Sequence, residues 1–582
     1  MKTVIVSCIL LLVSAVGHAQ PPEMRAFWAD TWHEALNNAT QVDQMLQRVR
    51  SANCNAVVVQ ARRRGDAFYN SLYEPKNSNV ASGFDPLAYL ILRARTGFPR
   101  IEVHAWFVVH LVHNTTTWPT QATHVLNRIP EAVTQNNAGS TDTGSGLAID
   151  FGHPAGADQF FRVVMDVLRR YDVDGVHMDY IRYMGTAWGY NPVSVARFNA
   201  KHGRSGSPAT NDPQWLQWRR DQVTALMRRI YANSLAIKPY VNVSAALITW
   251  GNGPTSDNGW LSSSAYSSVF QDWRSWMQEG ILDTGMPMCY YNQSQYPNYY
   301  ANWIAFIKDR QYGRQATIGL GNYLNTISNT MTQIDQARLP TAGGNSPVGL
   351  TFYSYAACNT LNGNTQWYNS TFYSALAQKF GSFVPTPEMP WKTSPTKVAL
   401  RGCVVQASDM SWVDNATVTL YRNSVAVRTL TTDGCGQYAA VDLEPGSYMI
   451  SVTKAGVGSA IATKNAPEPG QLWNTDFVIG STGSAIRAAS LKEAELLSDG
   501  TRVIVAMCNV MTGNNGSGAI WVSDQYRGRN VRVLPQATAL PWVAGDVVAI
   551  SGVLATDGQG ARYLTSATVT YTGATAPLAL LR

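Results

Sequence analysis

The chain has 582 residues, 45% of them hydrophobic and only 14% charged, with a formal net charge of +7. That apolar content excludes global disorder, and the length predicts several domains. The positive charge is spread without any block of five or more like charges, which argues against a nucleic-acid-binding tail.

Residues 1–19 hold Lys2, an apolar run over 4–16, and Gly17 and Ala19 at −3 and −1 of a cleavage point before Gln20. This reads as a signal peptide, too short for a membrane span, and predicts a secreted or periplasmic protein. No cysteine follows the cleavage point, so no lipid anchor is signalled. No later stretch reaches about 18 uninterrupted apolar residues, so no membrane span is expected.

From 22 to 383, apolar runs alternate with amphipathic stretches. Strands are predicted over 24–30, 55–60, 101–109, 175–178, 241–246, 285–289, 317–320 and 349–352. Helices are predicted over 42–52, 86–96, 159–171, 214–237, 267–279, 299–310, 331–338 and 371–379. Val57-Val58-Val59 is apolar on both faces, as in a parallel sheet. Eight β–α units predict a (β/α)8 TIM barrel. An open doubly wound sheet is the rival, but Trp28-Ala29-Asp30-Thr31-Trp32 after the first strand is no phosphate cradle. Pro385, Pro387, Pro390 and Pro395 make 384–395 a stiff linker. Short strands split by turn residues predict a β-sandwich accessory domain over 396–480. A flexible Gly-Ser linker follows. The segment 485–573 resembles an OB-fold-like β-barrel, with strands over 501–509, 519–523, 530–533, 547–555 and 567–571 and a helical stretch over 491–497. The expected fold class is therefore multidomain.

Cleavage would leave six cysteines, of which Cys403 and Cys435 share one small β domain and are the best disulfide candidates. There is no CxxC or HExxH, so no metal site is signalled and no cofactor is expected.

In TIM barrels the chemistry lies at the C-terminal strand ends. Those ends carry Trp28 and Asp30, then Gln60, Arg62 and Asp66, then His104, Trp106 and His110. They continue with His177, Asp179, Tyr180 and Arg182, and with Tyr290, Tyr291, Asn322, Tyr323, Tyr353, Ser354 and Tyr355. Aromatics, amides, carboxylates and two arginines are the set expected for gripping a sugar and breaking a glycosidic bond. The sharpest motif is Asp174-Gly175-Val176-His177-Met178-Asp179-Tyr180-Ile181-Arg182-Tyr183. Arg182 is placed to hold Asp179 ionised as nucleophile or base; the alternative is a structural Asp–Arg pair. Glycoside hydrolysis needs a second carboxyl group, for which Asp66 is the first candidate and Asp30 the second; Glu34, Glu74 and Asp283 are weaker. Trp28 and Trp106 read equally as sugar platforms or as packing. Ser354 has no GxSxG setting, which argues against a serine hydrolase.

These motifs resemble the glycosyl-hydrolase-like family ten of secreted bacterial TIM-barrel proteins. The matching pieces are Met24-Arg25-Ala26-Phe27-Trp28, Gln60-Ala61-Arg62, Gly65-Asp66-Ala67-Phe68-Tyr69-Asn70-Ser71, Asp85-Pro86-Leu87, Val103-His104-Ala105-Trp106 and the Asp179 motif. The resemblance implies hydrolysis of a polysaccharide, with bacterial cell-wall glycan a plausible substrate, and Asp179 as the main catalytic carboxylate. The sequence departs from the family at Phe107-Val108-Val109, where Asn-Pro is usual. It departs again at Met184, where the family has proline, and at Tyr290-Tyr291, where Tyr-Trp is usual. These positions touch the pocket rim.

Two readings follow: an exported glycoside hydrolase with β accessory modules, or a non-catalytic glycan-binding protein on a barrel scaffold. A nucleic-acid role through Arg527, Arg529 and Arg532 beside Trp521, Tyr526 and Trp542 is the weakest, since export argues against it.

Overall fold

The computed structural model describes residues 20–488, 490–513, 518–524, 530–535 and 541–574. Residues 1–19, expected from the sequence to be a signal peptide, lie outside the described residues, as do Tyr526, Arg527 and Arg529.

Eight strands build a closed parallel barrel: β1 (Met24–Ala29), β2 (Ala56–Arg62), β3 (Glu102–Val108), β4 (Gly175–Asp179), β5 (Asn242–Leu247), β6 (Thr284–Cys289), β7 (Gln315–Leu320) and β8 (Gly349–Tyr353). Sequence neighbours pair all the way round, and β1 closes the ring on β8 with Met24 opposite Gly349 and Trp28 opposite Tyr353. The helices α1 (Ala39–Ser51), α2 (Pro86–Thr96), α3 (Pro154–Arg170), α4 (Pro213–Ile237), α5 (Trp273–Glu279), α6 (Pro297–Lys308), α7 (Ile327–Arg338) and α8 (Ser370–Phe380) follow the strands in turn.

Local chemistry sets the helix starts. Asp85-Pro86 and Asp212-Pro213 each place a capping carboxylate before a proline at the first helical position. The expected helix over 267–279 begins only at Trp273, because Phe270 takes a left-handed conformation (φ 60°) and Asp272 caps the Ser275 amide. A further helix, Pro192–His202, stands outside the expected elements; Asn191-Pro192 starts it in the same way. The long excursion after β3 folds on its own apolar cluster of Val112, Val125, Leu126 and Ile129.

The proline-rich segment after the barrel is not a free spacer. Thr386 donates to Glu102, Trp391 Nε1–H donates to Asp283 Oδ1 at 2.7 Å, and Lys392 pairs with Asp283 at 2.5 Å. It forms a strap under the N-terminal end of the barrel.

Beyond the strap, two sheets face each other. Val398–Gln406 lies between Gln437–Leu443 and Leu472–Asn474; the second sheet runs Val425–Thr431, Thr417–Arg422, Gly446–Lys454, Gly458–Ala466. Leu400, Val404, Val418, Leu420, Tyr438, Ile450 and Val452 fill the space between them. Cys403 and Cys435 are buried free thiols rather than the expected pair. Their sulfurs turn to carbonyls instead, Cys403 Sγ to the Cys435 oxygen at 3.6 Å and Cys435 Sγ to the Pro154 oxygen at 3.3 Å.

The last module is a five-stranded closed barrel: Arg502–Thr512, Ile520–Asp524, Asn530–Pro535, Arg562–Ala574 and Asp546–Thr556 pair in that order, and the last closes on the first. Among the described residues, no helix is long and apolar enough to cross a membrane.

The C-terminal module meets the large barrel through a buried charge chain. Arg229 binds Asp158 at 2.5 Å, Asp158 binds Arg162 at 2.7 Å, and Asp546 binds Arg169 at 2.8 Å and Arg162 at 3.4 Å. The Arg162 guanidinium also lies 4.0 Å over the Tyr571 ring. Removing one partner of a buried ionic group leaves uncompensated charge, at a cost of about 3–5 kcal/mol. Asp546→Ala is therefore expected to lower the unfolding free energy in urea by about 3–5 kcal/mol. Asp499→Ala, which loses an exposed pair with Arg562, should stay within about 0.5 kcal/mol of wild type.

Candidate active site

Side chains alternate along a strand, so every second residue of β1–β8 points into the barrel. On β1 these are Met24, Ala26 and Trp28, with Asp30 next; Glu102, His104, Trp106 and Val108 follow on β3, and Gly175, His177 and Asp179 on β4. Register puts Asp179 level with Val108 and His177 level with Trp106. The interior is therefore layered, with carboxylates above and aromatics below.

The aromatic layer is tied by polar bonds. Trp28 Nε1–H donates to His177 Nε2 at 3.2 Å, and His177 Nδ1 meets Ser244 Oγ at 2.9 Å. Indole nitrogen only donates, so His177 Nε2 is the acceptor and Nδ1 carries the proton. Trp28 packs edge-on to Tyr290 (6.1 Å) and Tyr353 (6.3 Å), and those two phenols stack at 5.3 Å and 16°. Tyr323 closes the group edge-on to both. Glycines on β7 and just after it make the room: a Cβ on Gly319 would come within 2.9 Å of Trp28, and one on Gly321 within 2.9 Å of Tyr290.

Asp179 ends β4, two residues above His177 and its bond to Trp28. Tyr180 adopts a left-handed conformation (φ 51°), which is uncommon for an aromatic residue and turns its amide back to donate to Asp179 Oδ1 at 2.7 Å. Burial pushes the Asp179 carboxyl above its ordinary value, and the Arg182 guanidinium, the Tyr180 amide and the Trp106 indole only partly offset this. Arg182 acts in the direction the sequence predicts, favouring the ionised form, and burial outweighs it. The Arg182 guanidinium lies over the Tyr180 ring, 4.0 Å from its centre.

Asp30, just past the end of β1, is the second carboxylate. Its Oδ1 accepts from the Trp32 amide (3.1 Å), the His33 amide (3.2 Å) and His33 Nδ1 (2.7 Å). Its Oδ2 is buried and has no protein hydrogen-bond partner. Asp30 and Asp179 both bear electrostatically on the Tyr353 phenol, which their negative charge and burial push upward.

The structure thus brings together Asp179, Asp30, Trp28, Trp106, His177, Tyr180, Arg182 and Tyr290. It places the other sequence candidates elsewhere. Asp66 orders its own loop, receiving the Arg64 amide at 3.2 Å and the Asn77 side chain and lying 3.6 Å from Arg63. Arg62 follows an irregularity in β2 and is turned to Glu74, with which it makes a bidentate pair at 2.8–3.0 Å. His104 meets Glu102 at 3.1 Å, four residues or about 13 Å of strand below the Asp179 level. Tyr291 donates to the Gly251 carbonyl at 2.7 Å, and Asn322 holds the Ala357 and Cys358 carbonyls at 2.9 Å. Tyr355 is buried beside α1 and accepts from Arg48 at 2.5 Å. His110, stacked on Phe151 at 5.0 Å, is held neutral by burial, its pKa lowered to about 3.

Ser244, Gly319 and Gly321 escaped the sequence reading. The Gly319-Leu320-Gly321 run at a strand end was the available signal, since glycines inside a packed barrel mark close approach.

Residues 23–335 match the family described as Glycosyl hydrolase-like 10, so the chain belongs to a family of glycosyl hydrolase-like barrel proteins. Among curated proteins it is similar to "Glycosyl hydrolase YngK" of Bacillus subtilis, 28% identical over 313 residues, covering 50% of this chain and 58% of that one. It is also similar to "Glycosyl hydrolase DigH" of Escherichia coli K12, 26% identical over 259 residues, covering 42% of this chain and 56% of that one. The chain thus spans little more than half the length of these relatives. Among solved structures it is similar to the PgaB (BpsB) glycoside hydrolase domain from Bordetella bronchiseptica, at TM-score 0.43 and 16% identity over 57% of this chain and 94% of that one. Another is the β-amylase catalytic domain from Paenibacillus polymyxa, at TM-score 0.39 and 12% identity over 64% and 98%.

The neutral His177 has a measurable consequence. Burial lowers its pKa from the usual 6.5 to about 3. Between those values the unfolded chain binds the extra proton and the folded one does not. The contribution of His177 to stability is therefore whole above pH 6.5 and is lost progressively as pH falls toward 3. Urea midpoints measured from pH 7.5 down to 4.5 are expected to fall, and His177→Gln should start lower and fall less steeply.

Proposed function

We propose that this protein is an exported glycoside hydrolase acting on a polysaccharide, with bacterial cell-wall glycan as the substrate class. In this reading Asp179 is the general acid and Asp30 the partner carboxylate. The observation that carries it is the pair itself. One buried strand-end carboxyl is pushed toward its protonated form, and a second carboxylate, with a buried oxygen that has no hydrogen-bond partner, acts on the same Tyr353 phenol. Two carboxyl groups held in different surroundings are what acid-assisted glycosidic cleavage requires.

The chemistry follows from the layering. A sugar ring seated against the Tyr290–Tyr353 stack presents its glycosidic oxygen toward Asp179, which donates the proton as the leaving group departs. Asp30 then either takes a proton from the water whose oxygen bonds to the anomeric carbon, or bonds to that carbon itself and is released by a water that Asp179 deprotonates; in both cases the sugar leaves as a hemiacetal. The Trp28–His177–Ser244 chain beneath carries no net charge; it fixes the floor so that the carboxyls do not shift with substrate. The family membership and the names of the relatives support the reaction class, and the composition of 1–19 supports export. The closing five-stranded barrel is proposed as an OB-type accessory module and the sandwich as a spacer.

Peptide-free cell-wall glycan strands digested by the wild type should yield shortened strands by mass spectrometry. Asp179→Asn should lower kcat by about 10³-fold, the scale of a lost general acid. Asp30→Asn should show a loss of the same order, whereas Asp66→Asn should leave kcat within about twofold while lowering thermal stability. Intact strands from the wild type would favour a barrel that binds glycan without cleaving it.

A further inference from the structure

Tryptophan is distributed unevenly over the large barrel. Trp215, Trp218, Trp260, Trp273 and Trp276 are buried, but Trp32 is 48% exposed, Trp118 43%, Trp250 49% and Trp367 51%. All four exposed rings sit on segments that leave the C-terminal ends of strands: Trp32 after β1, Trp118 after β3, Trp250 after β5 and Trp367 after β8. In the ring order β1-β8-β7-β6-β5-β4-β3-β2, β1 and β8 are neighbours and β5 lies four strands away from β1 in either direction. Trp32 and Trp367 therefore flank one side of the mouth and Trp250 the opposite side.

Each flank is joined to one of the two carboxylates. Asp30 Oδ1 holds His33 Nδ1 at 2.7 Å, and the His33 ring lies 4.7 Å from that of Trp367. Asp179 accepts the Tyr180 amide, Arg182 lies over Tyr180 at 4.0 Å, and the same guanidinium is 5.4 Å from the Trp250 ring. The rings are separated by polar loop residues such as Asn252, Ser256, Asn362, Asn364 and Gln366, so they form isolated platforms rather than a continuous apolar patch. Flat faces alternating with amides suit a chain of sugar rings, which stacks through C–H groups and hydrogen-bonds through hydroxyls. Eight tilted strands about 4.8 Å apart make a backbone ring about 15 Å across, so loops on its opposite sides are farther apart than the length of one sugar.

We propose that the mouth binds an extended glycan on both sides of the scissile bond, with Trp32 and Trp367 on one flank and Trp250 on the other, so that cleavage is internal. This rests on the hydrolase reading above and names the form of its substrate.

The test uses peptide-free cell-wall glycan strands fractionated by length. Wild type should release mid-length products before the smallest ones. In Trp250→Ala and in Trp32→Ala/Trp367→Ala, kcat/KM should fall about tenfold or more on the longest fraction, with the loss growing with strand length. Trp521→Ala, an exposed tryptophan of the C-terminal module, should match wild type at every length. Release of only the smallest units from the start, or a loss that is the same at all lengths, would overturn the proposal. Binding of the same fractions to Asp179→Asn by calorimetry separates the two readings. Affinity that rises with length and is lost with the tryptophans, but without cleavage by wild type, keeps the extended site and removes the hydrolase. Affinity independent of length, or no affinity, removes the extended site.

Discussion

The pairing of β1 with β8 is the constraint on which the rest depends. It joins residues more than 320 apart in sequence and sets Trp28 opposite Tyr353. Once the ring is closed, the two-residue period of each strand decides which side chains meet inside, and no side chain can be moved there without shifting its whole strand. Polar groups so trapped must find partners, and the Trp28–His177–Ser244 chain is the solution in the middle layer. Space is settled by omission. Gly319 and Gly321 yield to Trp28 and Tyr290, and a side chain at Gly175 would collide with His104.

The accessory modules are fastened to the barrel by charge. Asp546 reaches Arg162 and Arg169 on α3, Asp414 takes Arg197 bidentately at 2.8 Å, and Asp442 takes Arg314 at 2.7 Å. In each case the carboxylate comes from a C-terminal module and the arginine from the barrel. A chain with so few charged residues thus concentrates several of them at its internal seams, where desolvation makes an unpaired one costly.

Strand positions in the barrel were legible because buried parallel strands read as unbroken apolar runs and their helices keep a 3.6-residue period. The Asp179 motif was legible for a related reason: a carboxylate, an arginine and two tyrosines stand where an apolar strand stops. Residue orientation was harder. Tyr353 and Tyr355 are two positions apart at the end of β8, yet one faces the mouth and the other sits against Arg48 of α1. The irregularity between Gln60 and Arg62 swung Arg62 toward Glu74. Asp66 had the right neighbours in sequence and the wrong ones in space, because Asn77 and Arg63 take up its oxygens. The cysteines were misjudged on proximity alone, since two thiols in one small domain also need facing side chains, and theirs point at carbonyls.

The strap beneath the barrel changes where this domain can be cut. By chain composition the barrel stops near residue 383, and a recombination boundary placed there looks harmless. Yet Asp283, buried at the base, takes its cation from Lys392 and an indole proton from Trp391, both beyond that boundary. A chimera joined at 383 would therefore inherit a carboxylate whose counter-ion was left with the other parent. The transferable unit runs through the short helix Pro390–Thr393, so the barrel and its first linker move between architectures together.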